Sequence, residues 1–88
     1  MVILLIYDIP DDGTRLRIAE RCKDYGLTRI QYSSFMGSLS RNRREELVLV
    51  LEQELGQQPG NIQIYPLCDR DLRLRIEIDR PWDRRYGA

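Results

Sequence analysis

Asp8 is the first residue on which chemistry can be argued. It closes an apolar run, residues 2–7, and precedes the break Ile9-Pro10-Asp11-Asp12-Gly13 that leads into a helical pattern. Strand ends that face a following helix collect ligands in mixed α/β sheets, because backbone amides and side chains converge there. A carboxylate at that point can hold Mg²⁺, which takes oxygen ligands and needs only one or two carboxylates beside water and phosphate. The competing role is local: Asp8 shapes the Asp-Ile-Pro turn or caps the helix.

Arg15 and Arg17 lie one helical turn further on. The angular position of Arg15 falls inside the apolar face, and a cation in a first turn works against the helix dipole, so an anion is expected to offset it. Asp8, Asp12 or a bound phosphate can serve, and an internal ion pair is the plainer answer. Arg17, on the exposed face, is either a phosphate contact or a solvated charge. Arg41, Arg43 and Arg44 crowd the start of a second helix and suit a nucleic-acid backbone. Glu45 and Glu46 follow them at once, which favours a solvated face.

Tyr7, Tyr32, Phe35 and Tyr65 are candidate platforms for base stacking. For Tyr7 and Phe35 the stronger expectation is a place in core or interface. Ser33 and Ser34 sit at a strand junction, where a hydroxyl either meets substrate or bonds its own backbone. The chain has no histidine. That excludes Ser-His-Asp and Cys-His nucleophiles, a paired-histidine ribonuclease mechanism and any His-ligated zinc. Cys22 and Cys68 form no C-x-x-C pair, and each has apolar neighbours, so both are expected to be small buried hydrophobes in a reducing cytosol.

These residues need a scaffold. Residues 2–7, unbroken and apolar, predict a central strand covered on both faces. Asp11 or Asp12 caps a helix over about 14–25 with Leu16, Ile18, Ala19, Cys22 and Tyr25 inward, and Gly26 ends it. Residues 28–39 predict two short strands, or one sharply bent strand, meeting near Ser33-Ser34. Ser40 caps a helix over 41–55 with Leu47, Val48, Val50, Leu51 and Leu55 inward, and Gly56 stops it. Residues 61–67 form a further strand with Ile62 and Ile64 inward. A βαββαβ order specifies an α+β, ferredoxin-like sandwich with both helices on one face of an antiparallel sheet. The other face must be wet or covered by a partner.

Residues 72–78 alternate most regularly of all, Leu72, Leu74, Ile76 and Ile78 against Arg73, Arg75 and Glu77. An additional strand with one dry face, left unattached, invites aggregation. It is expected to swap onto a sheet edge of a second protomer in a two-fold homodimer. One domain, 1–79, is therefore expected, followed by a short polar-aromatic tail, 80–88.

The chain has 88 residues, with fourteen basic and fourteen acidic groups. Bulk charge therefore cannot hold nucleic acid, and phosphate binding must arise from local arrangement. A single domain this small buries only about 60–65% of its unfolded surface, which also favours dimerisation. The N-terminus lacks a basic leader and reaches Asp8 too early for a signal peptide or membrane span, so a cytoplasmic protein with no membrane partner is expected.

The pieces I-Y-D-I-P-D-D at 6–12, Arg15 and Arg17, R-I-Q-Y-S-S-F-M-G-S-L at 29–39 and I-Y-P-L-C at 64–68 occur in one order and at a typical length. Together they resemble the small CRISPR-associated endoribonuclease family, the second of the two universal spacer-acquisition proteins. The resemblance implies a ferredoxin-like homodimer whose last strand crosses to the partner. It implies a Mg²⁺-dependent (or Mn²⁺-dependent) nuclease acting on single-stranded RNA or duplex DNA, and a bridging role beside a CRISPR integrase subunit. It places the catalytic and metal-binding carboxylate on Asp8, paired with its two-fold mate. Tyr7, Arg15, Arg17, Ser33 and Phe35 fall on positions linked with substrate or site architecture. Other readings of the same fold are a non-catalytic architectural adaptor, a toxin-type ribonuclease and a small-molecule-sensing dimer.

Overall fold

The computed structural model describes residues 1–81, and the expected tail lies outside them from residue 82 onward. Four strands form one sheet in the order β2-β3-β1-β4, with every neighbouring pair antiparallel. The elements are β1 (Val2–Asp8), α1 (Asp12–Asp24), β2 (Thr28–Gln31), β3 (Ser34–Ser38), α2 (Arg41–Leu55), β4 (Asn61–Leu67) and α3 (Asp69–Arg73). The βαββαβ order is thus present, followed by one short helix. Residues 28–39 resolve into two strands joined at Tyr32-Ser33, with a register shift between Arg29 and Gln31.

Alternation in β1 sets the layers. Ile3, Leu5 and Tyr7 are buried beneath the helices with Phe35 of β3, Ile18, Ala19 and Cys22 of α1, and Leu47 and Leu51 of α2. The intervening residues Val2, Leu4, Ile6 and Asp8 project to the opposite face, where no element of the described residues covers them; Ile6 is 37% exposed. By register they share that face with Ser34 and Met36 of β3 and with Asn61, Gln63, Tyr65 and Leu67 of β4. The continuous apolar run of β1 therefore serves two surfaces, one internal and one still open.

Local signals explain the helix limits. Asp11 caps α1 by accepting from the Thr14 backbone N–H and hydroxyl, at 2.9 and 2.8 Å. These two bonds, the backbone one first, hold the Asp11 carboxyl below its ordinary range. Gly26 follows at φ 82°, a left-handed conformation glycine adopts without strain. Ser40 caps α2 by accepting from Arg43 N at 3.2 Å. Its basic first turn is offset within the chain. Arg41 pairs with Glu45 at 3.3 Å, and Arg43 lies 4.3 Å above the Tyr25 ring.

Three expectations need correction. Cys68 is exposed rather than buried, and only Cys22 lies in the core. Leu16 is 61% exposed rather than inward. At 100° per residue it sits roughly 140° from the face centred on Ile18 and Cys22. Leu72 and Arg73 belong to α3, so no strand starts at 72. Cys68 Sγ accepts from Asp71 N at 3.5 Å, and Asp69 and Asp71 suit the first turn of a helix. Beyond Leu74 the chain has no strand partner among the described residues, and Leu74, Ile76 and Ile78 are 67, 87 and 77% exposed. No helix of the described residues is long and apolar enough to cross a membrane.

Candidate nucleic-acid and metal site

Asp8 ends β1 on the uncovered face, directly opposite Asn61, the first residue of β4. Its carboxylate is exposed and has no ion-pair or hydrogen-bond partner among the described residues. The strand that carries it lies between β3 and β4, and at its end Asp8 pairs with β4 alone. Along β4 the same face carries a polar ladder. Gln63 Nε2 donates to Asn61 Oδ1 at 2.8 Å, and the Tyr65 hydroxyl donates to Gln63 Oε1.

Arg15 and Arg17 stand around the same strand end, on the helical layer. Arg15 donates to the carbonyl of Ile9 at 3.0 Å and to Asp12, and its guanidinium lies 5.8 Å from the Tyr32 ring centre. The internal ion pair expected for this residue is therefore made with Asp12. Its bond to Asp12 holds the Arg15 guanidinium above its ordinary range, burial acting the other way. Arg17 is half exposed and meets Glu54 of α2 at 3.2 Å and the Thr14 hydroxyl at 3.2 Å. Both cations are anchored at one side and open at the other.

The aromatic candidates separate cleanly. Tyr7 and Phe35 are 2 and 0% exposed and stack 6.3 Å apart, so neither ring is open to a base. They build the floor beneath the site. Ser33 contributes through its backbone, its carbonyl accepting from Tyr7 N at 3.0 Å. Tyr32, by contrast, is 72% exposed, and its carbonyl accepts from the Tyr7 hydroxyl at 3.5 Å. With Tyr7, Asp12, Arg15, Leu16, Ala19 and Arg29 it lines an open cleft of about 300 Å³. Spacing alone does not single out Arg29, because its role depends on β2 lying against β3. There it covers the Phe35 ring at 5.1 Å. Exposed Leu16 finds its place on the rim of that cleft.

Asp8 is thus not in contact with the other candidates. It faces the open side of the sheet, whereas Tyr7, Arg15, Arg17 and Phe35 belong to the helical side. Among the described residues no group of three or more His, Cys, Asp or Glu side chains gathers as a metal cage. Asp8 and Asn61 opposite it can offer side-chain oxygens, the class that Mg²⁺ and Mn²⁺ accept, but a single chain brings only one carboxylate to this strand end. Cys22 is no ligand: burial pushes its thiol up to about 12.

The sequence matches the family model described as CRISPR associated protein Cas2 over residues 1–74. The CRISPR-associated endoribonuclease Cas2 of Desulforudis audaxviator is 49% identical over 79 residues, covering 90% of this chain and 74% of that one. A CRISPR-associated endonuclease Cas1/endonuclease Cas2 fusion of Thermoproteus tenax is 32% identical over 78 residues, 89% of this chain and 30% of the fusion. The crystal structure of Streptococcus pyogenes Cas2 shares the fold at a TM-score of 0.77 and 23% identity, covering 90% of this chain and 100% of that one. Strand order, the family match over most of the chain and the likeness in sequence agree: the chain belongs to the Cas2 family of CRISPR-associated proteins.

Proposed function

We propose that the protein works as a homodimer in spacer acquisition, binding nucleic-acid backbones and hydrolysing phosphodiester bonds in RNA or DNA with Mg²⁺ or Mn²⁺. The observation that carries this reading is the unpartnered Asp8 carboxylate at the rim of an uncovered sheet face, with Arg15 and Arg17 around the same strand end. Val2, Leu4, Ile6, Met36 and Leu67 give that face an apolar centre, and Asp8, Ser34, Asn61 and Gln63 give it a polar border. A second copy closing on it would remove the apolar centre from water, and a two-fold axis would set two Asp8 carboxylates together. Exposed Leu74, Ile76 and Ile78 suit the free edge of β4 in that partner.

A divalent cation there would polarise the phosphate and lower the pKa of its water. The chain's own residues do the rest. Asp8 supplies the negative charge that holds the cation, and without it two facing carboxylates would repel. Arg15 and Arg17 present guanidinium N–H groups to phosphate oxygens, their other donors kept by Ile9, Thr14 and Glu54. Tyr32 offers an exposed ring for a base. The fusion of a Cas1 endonuclease with a relative of this chain supports an integrase subunit as partner.

A second reading is a purely architectural adaptor, favoured by the single carboxylate per chain. Asp8→Asn decides between them. The nuclease reading expects divalent-dependent cleavage to fall to background with the dimer and fold intact. Cleavage at the wild-type rate would take the metal role away from Asp8, and no cleavage by the wild type under any divalent metal would leave the adaptor.

A further inference from the structure

We propose that Asn61 is a second oxygen donor beside Asp8, so that each chain offers a divalent cation a carboxylate and an amide carbonyl, a role that rests on reading Asp8 as the metal-holding residue. Asn61 is the direct antiparallel partner of Asp8 across β1 and β4, and both are exposed. Residues so paired project from the same face, with Cβ atoms roughly 4.5–5.5 Å apart. That spacing is within reach of one hydrated ion.

The ladder along β4 orients the Asn61 amide. The Tyr65 hydroxyl donates to Gln63 Oε1, which turns the Gln63 nitrogen toward Asn61. Gln63 Nε2 then donates to Asn61 Oδ1 at 2.8 Å, fixing that atom as the held acceptor. An amide oxygen has two lone pairs, and Gln63 occupies one. The other remains for a cation or for a water bound to it. Amide oxygens are hard donors of the class that Mg²⁺ and Ca²⁺ accept.

Such a pair answers the thinness of a site built on one carboxylate. Two chains would supply two carboxylates and two amide oxygens, leaving room in an octahedral shell for water and phosphate. Asp8 brings the charge, and Asn61 adds a neutral donor without adding repulsion between the two acids. A role confined to strand pairing would not require the oriented carbonyl, because β1 and β4 are already joined by seven register pairs from Val2–Leu67 to Asp8–Asn61.

Mn²⁺ binding to the intact protein, followed by the paramagnetic resonance of the free ion, tests this without reference to cleavage. Asn61→Ala is expected to weaken Mn²⁺ binding about tenfold, as losses around metal ligands do, and Asn61→Asp to tighten it, with thermal melting unchanged. If Asp8→Asn loses the ion but Asn61→Ala binds it like wild type, the Asn61 role is overturned and the metal reading of Asp8 stands. If Asp8→Asn also binds like wild type, or the wild type binds no Mn²⁺, the metal reading itself fails and this role with it.

Discussion

Tyr7 and Asp8 are neighbours in sequence and stand on opposite faces of the sheet. Tyr7 is 2% exposed beneath the helices, whereas Asp8 is exposed on the uncovered face. A strand end is therefore shared by two surfaces: a cationic, aromatic one on the helical side and an acidic one on the other. A nucleic-acid strand that meets both must turn around the carboxyl end of β1.

From that separation the two functions should come apart by mutation. Asp8→Asn is expected to abolish metal-dependent cleavage while changing stability by no more than about 0.5 kcal/mol, because its side chain is exposed and unpartnered. Arg17→Ala is expected to leave Mn²⁺ binding unchanged and to lower the salt slope of nucleic-acid binding by about 0.7–0.9, the share of one phosphate that is no longer neutralised. Titrations at three or more salt concentrations read the slope, and an unaltered slope would remove Arg17 from the phosphate path.

Buried and exposed aromatic residues predict different losses. Phe35→Ala deletes a fully buried ring that stacks on Tyr7 and lies under Arg29, and should cost about 3–5 kcal/mol in a denaturant titration. Tyr32→Ala should leave stability nearly unchanged and weaken single-strand binding by about 1–3 kcal/mol, the range for one stacked base. Equal affinity of Tyr32→Ala and wild type would make the cleft beside Arg15 a surface feature only.

Much of this architecture is legible in the chain because local signals agree with one another. Asp11, Gly26, Ser40 and Gly56 bound the helices, and the alternation of Ile62 and Ile64 assigns the inner face of β4. Angle alone places Arg15 in the apolar face, and its carboxylate partner, Asp12, is one of the three anions that the helix dipole argument offers. What periodicity does not carry is pairing between elements. The opposition of Asp8 and Asn61 depends on the β1–β4 register, and the seat of Arg29 over Phe35 on that of β2 and β3. Residues 72–78 show the other difficulty. A capped acidic turn at 68–71 competes with a strand pattern, and within one chain the helix takes Leu72 and Arg73.

Gly37 marks a close approach between β3 and the segment entering β2. A Cβ at this position would lie 2.7 Å from Leu27 Cδ2 and 3.2 Å from its Cα, so side chain and backbone would both have to move. Gly37→Ala should therefore cost about 1–3 kcal/mol, the range for overpacking. Chemical denaturation measures it. A cost below about 0.5 kcal/mol would show that Leu27 shifts freely.

Cys22 and Tyr25 set the alkaline behaviour. Burial raises the Cys22 thiol from 9.0 to about 12, and burial followed by the bond to Glu46 raises the Tyr25 hydroxyl. Each group is easier to ionise in the unfolded chain. The stability it contributes is complete below its unfolded pKa and is lost as pH rises through the folded one, which for Cys22 spans about 9 to 12. Acid should leave these contributions untouched. Melting temperatures recorded from pH 8 upward should fall more shallowly for Cys22→Ala than for wild type once its different starting stability is subtracted. In parallel, a thiol reagent at pH 8 should label one cysteine per native chain, exposed Cys68, and two after denaturation. Rapid labelling of both in the native protein would mean that α1 opens readily from the sheet and that Cys22 is not held in the core.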